Sequence, residues 1–233
     1  MALTFNGTTQ YGRVANNTNF NVTPSVTIMG WVRTTMTSTA MQSAMQRIAS
    51  RYLSGATANE QYGIDIYMGM PRFLVGTTST VSAVQGTSMV STGVWTHVCG
   101  TYDGSTMLIY QDGQLVGSLA RSGTITSSTG VFSFGADYNG SAASEYLQGS
   151  LEDIRIYNRA LSQGEVETIV TCRGTGLIRN GLILNLQLDE QRSGATLAAS
   201  ATIYDTGPMK MNATNIVASA TFSDGFLRKR RFA

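Results

Sequence analysis

The carboxylates of this chain do not form a recognisable catalytic pair. Glu152 and Asp153 come nearest to one. They are adjacent in a segment with strand character, and adjacent residues of a strand point to opposite faces of a sheet. Two carboxyl groups that hydrolyse a glycosidic bond must flank that one bond. We therefore predict no paired-carboxylate catalysis.

His97 is the single histidine of the chain, so it is the one possible base for a histidine-dependent triad. In an extended segment its side chain shares a face with Trp95 and Cys99. We interpret it as a hydrogen-bonded histidine within a sheet and not as a general base. Since no glycine-rich phosphate loop joins a strand to a helix either, we expect no enzyme, no catalytic residue and no nucleotide cofactor.

A loop rich in oxygen donors is the candidate for a metal site. Residues 135–140 include Asp137 and Asn139, and Glu145 follows them. Oxygen donors of this kind suit calcium, but aspartate, asparagine and glycine in loops more often stabilise turns. We expect no resident metal, with a calcium ion as the alternative.

Four tyrosines could stack on sugar rings, although tyrosines of sheets and loop rims more often serve packing. They are Tyr62, Tyr67, Tyr138 and Tyr146. The two cysteines, Cys99 and Cys172, are too few for a disulfide framework and lack zinc-site spacing. We predict buried thiols and leave a single disulfide between them open.

The composition excludes several classes of partner. Charged residues make up 13% of the chain, against about 25% in ordinary globular proteins. Residues 228–231 form a basic run, and without it 12 basic residues face 14 acidic ones. A nearly neutral body offers no extended basic surface to nucleic acid. We interpret the run as a solvated or locally paired tail, with a polyphosphate contact as the alternative.

No targeting or membrane segment is recognisable. Residues 1–5 lack the basic start and apolar run of a secretory signal, and no apolar stretch is long enough to span a bilayer. We expect synthesis in the cytoplasm and no membrane association.

Strand signals dominate, and their recurrence between turn signals predicts an all-β sandwich or barrel. The segments are residues 25–33, 62–68, 94–102, 106–111, 131–135 and 151–157. Asp103-Gly104 and Asp112-Gly113 predict two-residue hairpin turns that join residues 94–102, 106–111 and 114–118 into a three-stranded meander. Its central strand should be covered on both faces.

Two further local features can be predicted. In residues 151–157, the isoleucines fall on one face and the polar residues on the other, after an irregular start. Ser162 and Glu165 form a capping box, and Leu161 can pack on Val166 just outside it. We predict a short helix that covers one end of the sandwich.

Several motifs, in this order, resemble the concanavalin A-like, laminin G-like jelly-roll family. They are ALTFNG (2–7), YGRV (11–14), TIMGWV (27–32), WTHV (95–98), YDG (102–104), YQDG (110–113) and GSLEDIRIYNRALS (149–162). The resemblance covers about residues 1–171 and implies two antiparallel sheets packed face to face. Glycosidases on this scaffold carry carboxylates spaced ExDxxE on one strand, and Glu152-Asp153 does not fit that pattern.

The C-terminal segment, residues 175–233, contains an alternating strand pattern at residues 181–190. This pattern resembles the opening strand that many members of the family carry before the motif found here at Leu3. We predict one domain, residues 1–233, in a circularly permuted arrangement in which residues 181–190 pair beside the N-terminal strand. The alternative is a separate appendage that docks on neighbouring molecules.

Two functional hypotheses follow from the resemblance, taken together with the lack of a recognisable export signal and with the basic C-terminal run. The first is a non-enzymatic structural protein of tailed-phage particles, a capsid decoration or tail accessory on the virion surface. Its partners would be the major capsid protein or other virion proteins, and it would form a homo-oligomer. The alternative is an extracellular lectin-like module with a glycan ligand, with or without calcium.

Overall fold

The computed structural model describes residues 1–53, 60–77, 80–172, 177–191, 193–199 and 201–225. The strands are β1 (Ala2–Asn6), β2 (Tyr11–Val14), β3 (Val26–Thr34), β4 (Met45–Tyr52), β5 (Glu60–Tyr67), β6 (Met70–Gly76), β7 (Val81–Gln85), β8 (Thr96–Tyr102), β9 (Thr106–Gln111), β10 (Gln114–Ala120), β11 (Phe132–Phe134), β12 (Asp137–Tyr138), β13 (Ala143–Ser144), β14 (Gln148–Tyr157), β15 (Leu182–Leu186), β16 (Thr196–Leu197), β17 (Ala213–Val217) and β18 (Ala220–Ser223). The helices are α1 (Ser38–Met41) and α2 (Gln163–Thr171), and Thr18–Phe20 forms one 3-10 turn.

Two antiparallel sheets form a sandwich. The larger sheet has nine strands in the order β10-β9-β8-β3-β14-β1-β18-β16, with β15 also paired to β14. The smaller sheet has seven strands in the order β17-β2-β11-β4-β5-β6-β7. A two-stranded hairpin, β12–β13, accompanies them. The predicted all-β, two-sheet jelly-roll sandwich is confirmed.

The main core lies between the two sheets because one face of each strand is apolar. Ile28 and Val32 of β3 belong to it, whereas Met29 between them faces outward. On the facing sheet, Ile64 and Ile66 of β5 fill the core from the other side. This alternation follows from the period of two in a strand, and it leaves Asp65 on the outer face of the smaller sheet.

The predicted meander of β8, β9 and β10 is confirmed. Asp112 and Gly113 both have positive φ, 50° and 86°, as a type I′ turn requires. The first turn differs from the prediction, since Gly104 has a φ of 98° and Asp103 is not in the left-handed region. The Asp103 carboxylate instead accepts hydrogen bonds from the backbone N–H groups of Ser105 and Thr106, so a longer loop replaces the two-residue turn.

The irregular start predicted for the strand at residues 151–157 is a β-bulge in β14. Asp153 has a φ of 54°, and the register against β3 shifts between Glu152 and Arg155. The extra residue places both Leu151 and Ile154 in the core.

The capping box at α2 is confirmed, with the Ser162 hydroxyl bound to the Glu165 N–H and the Glu165 carboxylate bound to the Ser162 N–H. The predicted position of the helix is wrong. Leu161 and Val166 pack with Met29 and Cys99 on the outer face of the nine-stranded sheet, not at an end of the sandwich. The outward residues of that sheet are apolar here and therefore need a cover.

The C-terminal strands pair within both sheets, but not as predicted. Strand β15 pairs with the second half of β14, where Leu186 lies opposite Ile154, and the partner of β1 is β18 instead. The ten-residue β14 is twice as long as β1, so its remaining edge is open to β15. Strand β17 joins the smaller sheet beside β2.

The remaining sequence features are accounted for as follows. No disulfide joins Cys99, which is buried, to Cys172, which is only half-buried at the end of α2. The basic run at residues 228–231 lies outside the described residues. Among the residues that the structure describes, no helix has the length and apolar character needed to cross a membrane.

Candidate functional site

The outer face of the seven-stranded sheet is lined by polar and aromatic side chains, and we call it the polar face. Strand register places Arg47 of β4, Asp65 of β5 and Arg72 of β6 side by side across it. The Asp65 carboxylate accepts hydrogen bonds from Arg72 at 3.0 and 2.6 Å and lies 3.4 Å from Arg47 Nη1. Charges of alternating sign thus cross three strands in one row.

Arg47 lies at the centre of four carboxylates, and we call these five residues the Arg47 cluster. Its guanidinium lies 3.3 Å from Glu60, 3.4 Å from Asp65, 3.6 Å from Asp137 and 2.7 Å from Glu145. The side chain of Arg47 is only 3% exposed. Burial by itself lowers the pKa of Arg47, but the four carboxylates outweigh it and raise the pKa above its ordinary value.

The burial and the neighbouring carboxylates change the pKa of Glu60. Burial raises the pKa of Glu60 to about 8, against the attraction of Arg47 and with the repulsion of the other three carboxylates. Its side chain therefore keeps a proton at neutral pH. Gly63 provides the space for it, since a Cβ there would lie 2.4 Å from Glu60 Oε1.

The loop predicted as an alternative calcium site contributes two members of the cluster. Asp137 and Glu145 are brought together, but the cation between them is the Arg47 guanidinium. Asn139 is used in a turn, where its side-chain oxygen accepts from the backbone N–H groups of Ser141 and Ala142. Within the described part of the chain, no group of three or more histidine, cysteine, aspartate or glutamate side chains is arranged to hold a metal ion.

Three tyrosines and an arginine lie at one side of the polar face, and we call them the tyrosine patch. Tyr11 stacks on Tyr138 with ring centroids 5.9 Å apart and meets Tyr146 edge to face at 6.1 Å. The Arg13 guanidinium lies 4.4 Å from the centre of the Tyr138 ring. Tyr11 is buried, whereas Arg13, Tyr138 and Tyr146 are each partly exposed.

The patch and the Arg47 cluster are neighbours. Glu145 and Tyr146 are adjacent in the chain, and Asp137 and Tyr138 are adjacent in β12. Each pair therefore supplies one member to the cluster and one to the patch.

The four tyrosines considered as sugar-stacking residues have three different environments. Tyr62 is completely buried, and its hydroxyl donates to the backbone oxygen of Phe20, so it is a core residue. Tyr67 lies under the Arg72 guanidinium at 4.2 Å. Tyr138 and Tyr146 meet in the tyrosine patch together with Tyr11, which the sequence analysis did not single out.

The residues weighed as catalytic lie on the other sheet. Glu152 and Asp153 are both buried, and Asp153 binds Arg155 at 2.7 Å. His97 is 1% exposed, and burial, with the nearby charge of Arg155, lowers its pKa to about 3. The expectation of a hydrogen-bonded histidine is wrong for Nδ1, which has no hydrogen-bond partner among the described residues. The Trp31 ring packs edge to face on the imidazole.

Sequence reasoning missed Arg47, Glu60 and Asp65. A signal was present for Arg47 and Asp65, which stand beside isoleucines in a chain that carries little charge, but not for Glu60, which lies between Asn59 and Gln61. Buried charges of this kind are rare unless they are paired.

A family model described as the concanavalin A-like lectin/glucanases superfamily, of laminin G type, matches residues 6–167. The chain belongs to this superfamily. A comparison with curated protein sequences gives no match.

Three solved structures illustrate the similarity of fold. A Bacteroides ovatus protein described as carbohydrate-binding is 17% identical with a TM-score of 0.70, and the match covers 97% of this chain and 61% of that protein. A heptameric SAP-like pentraxin from Limulus polyphemus is 19% identical with a TM-score of 0.59, and the match covers 90% of this chain and 96% of the pentraxin chain. The CBM40 module of a Ruminococcus gnavus IT-sialidase, bound to α2,3-sialyllactose, is 16% identical with a TM-score of 0.57. The match covers 72% of this chain and 95% of the module.

Proposed function

We propose that this chain is a non-catalytic carbohydrate-binding module whose ligand lies on the polar face. The observation that carries the proposal is the tyrosine patch set directly beside the Arg47 cluster. Similarity to proteins described as carbohydrate-binding, including one with a bound sialylated sugar, supports it.

The polar face offers the two kinds of contact that sugars require. Partly exposed tyrosine rings can pack against the C–H face of a pyranose, because each ring has an apolar body and a polar tip. Next to them, the side chain of Glu145 is 24% exposed and can accept hydrogen bonds from sugar hydroxyls. The Arg72 guanidinium, 14% exposed, can donate to other hydroxyls further along the same face.

The buried part of the cluster supports these contacts and does not react. Asp65 is completely buried and Glu60 is 4% exposed, so neither carboxylate can approach a glycosidic bond. The charge of Asp65 and a hydrogen bond from Arg47 to the protonated Glu60 hold the Arg47 guanidinium in place, and Arg47 in turn fixes Glu145 at the surface. Preorganisation of this kind lowers the entropic cost of binding.

A glycan array with purified protein tests the proposal, with and without a chelator. We expect saturable binding to one class of glycan, because the patch has a fixed geometry, and the same binding in the chelator because Arg47 supplies the positive charge of the site. Binding should be lost in Tyr146→Ala and weakened in Arg13→Ala.

Arg33→Ala is the matched control for Arg13→Ala. Arg33 is also a half-buried arginine over an aromatic ring, Trp95 at 5.2 Å, but it lies on the opposite sheet. An array on which no glycan binds, or on which the Arg33 and Arg13 variants lose binding equally, would contradict a site on the polar face.

The virion hypothesis and its consequences remain predictions. These are a place on the surface of a phage particle, contact with capsid protein and a homo-oligomeric state; an extracellular location is the alternative. Mass spectrometry of purified particles tests the first two, and light scattering on the purified chain tests the third. Absence of the chain from the particle would eliminate the virion role.

A further inference from the structure

A small pocket opens on the side of the sandwich away from the polar face. Its cavity of about 260 Å³ lies between the segment that leads into β15 and the loop at residues 206–210. Leu177, Leu182 and Pro208 make its walls apolar. Leu182 also belongs to the apolar cluster under α2, which places the pocket beside the nine-stranded sheet.

Two cations line the same pocket. Arg179 and Lys210 are both exposed, and neither takes part in any ion pair found within the described ranges. Arg47, Arg72, Arg155 and Arg159 each bind a carboxylate, and Arg13, Arg33, Arg51 and Arg121 contact rings, hydroxyls or carbonyls, whereas Arg179 and Lys210 are the two cations that line this cavity. Two cations at one cavity attract an anion, and the attraction of each cation to an anion between them offsets their mutual repulsion.

The wall of the pocket is rigid because one buried carboxylate holds it. Asp205 is 2% exposed, and its two oxygens accept hydrogen bonds from the backbone N–H groups of Asn185, Gly207 and Met211 at 2.7 to 2.9 Å. Asp205 therefore ties the loop at residues 206–210 to β15. The pocket keeps its shape without a ligand, as small-molecule sites commonly do.

We propose that this pocket binds a small organic anion, with the anionic head between the two cations and the apolar body on the three apolar side chains. The cavity is smaller than the roughly 300–1,000 Å³ of pockets for drug-sized ligands, so the ligand must be short. A carboxylate on a chain of a few carbons fits these limits. The site is separate from the polar face and does not depend on the proposed carbohydrate binding.

Nuclear magnetic resonance of the ¹⁵N-labelled full chain, titrated with sodium hexanoate at low salt, tests the proposal. We expect saturable shifts at residues 177–182 and 206–210 and none in the tyrosine patch. Hexanol should bind at least about tenfold more weakly, since charge-assisted hydrogen bonds are roughly twice as strong as neutral ones.

The variants separate charge from structure. Both cations are exposed, so R179Q/K210Q should fold normally and lose hexanoate affinity by at least about tenfold. R179K/K210R keeps both charges and should retain binding, and R33Q, on a remote arginine, should leave it unchanged. Hexanol binding as tight as hexanoate binding, unchanged affinity in R179Q/K210Q, or no saturable shift at millimolar hexanoate would each overturn the proposal.

Discussion

Arg47 Nη2 lies 2.7 Å from Glu145 Oε2, and the backbone N–H of Arg47 donates to the backbone carbonyl oxygen of Glu145 at 2.8 Å. This double contact links the end of the β12–β13 hairpin to the middle of β4. The tyrosine patch thereby acquires a fixed position, because Tyr138 is part of β12 and Tyr146 follows Glu145 directly. The buried charge is therefore a positioning device for an exposed surface.

Removal of the central cation should destabilise the fold strongly. We expect Arg47→Met to lower the free energy of unfolding by about 3 to 5 kcal/mol, because it leaves buried carboxylates without their partner. Urea denaturation measures the change. Arg159→Met is the control, since the Arg159–Glu165 pair is 25% and 31% exposed, and it should cost about 1 kcal/mol or less. Equal effects of the two substitutions would show that the cluster is not the buried network described.

Stability should depend on pH through Glu60. Its pKa in the folded state is about 8 and its ordinary value is 4.5, so the folded state holds the proton more tightly. The stability that this contributes is complete below about pH 4.5 and is lost as the pH rises toward 8. The measurement is the free energy of unfolding at several pH values, in the wild type and in Glu60→Gln.

Glu60→Gln separates this contribution from other groups. Glu190 has its pKa raised to about 7 by burial and changes stability with the same sign. The free energy of unfolding of the wild type, relative to that of Glu60→Gln, should therefore fall as the pH rises from 4.5 to 8. A difference that is constant over this range would mean that Glu60 is ionised in the folded protein.

Loss of the N-cap of α2 should lower the stability of the fold by about the contribution of one capping hydrogen bond. Ser162→Ala removes the oxygen that accepts from the Glu165 N–H, so we expect a loss of about 1 kcal/mol. Thermal unfolding measures the loss, and Gln163→Ala at the next, exposed position is its control. An unchanged transition in Ser162→Ala would indicate that the apolar contacts of Val166 and Ile169 alone hold the helix.

Deletion of residues 175–233 should destroy the fold. The deletion removes Leu184, Ile216 and Phe222 from the main core and leaves β1 without its neighbour β18. Circular dichroism and solubility of the 1–174 fragment measure the outcome. A soluble fragment with a cooperative transition would instead support a docking appendage.

Local patterns in the sequence predicted the local structure well. Asp112-Gly113 correctly predicted a hairpin turn, and Ser162 with Glu165 correctly predicted the start of α2. Turns and caps depend on residues within four positions of one another. The alternation in the strand at residues 151–157 indicated an irregular start, and the structure shows that it is a bulge at Asp153. At Asp103 the prediction of the turn type was wrong, because the carboxylate can also cap a longer loop by accepting hydrogen bonds from Ser105 and Thr106.

The sequence by itself thus indicated the all-β sandwich, the meander, the helix cap and the family, but it did not indicate strands such as β4, β6 and β18. Only the tertiary structure decided which strand lies beside β1, where α2 packs, and that Arg47 meets Glu145 across 98 positions of the chain. The physical reason is that sheet order brings together residues that are remote in sequence. A pattern of period two fixes the face of each side chain but not the neighbour that it meets.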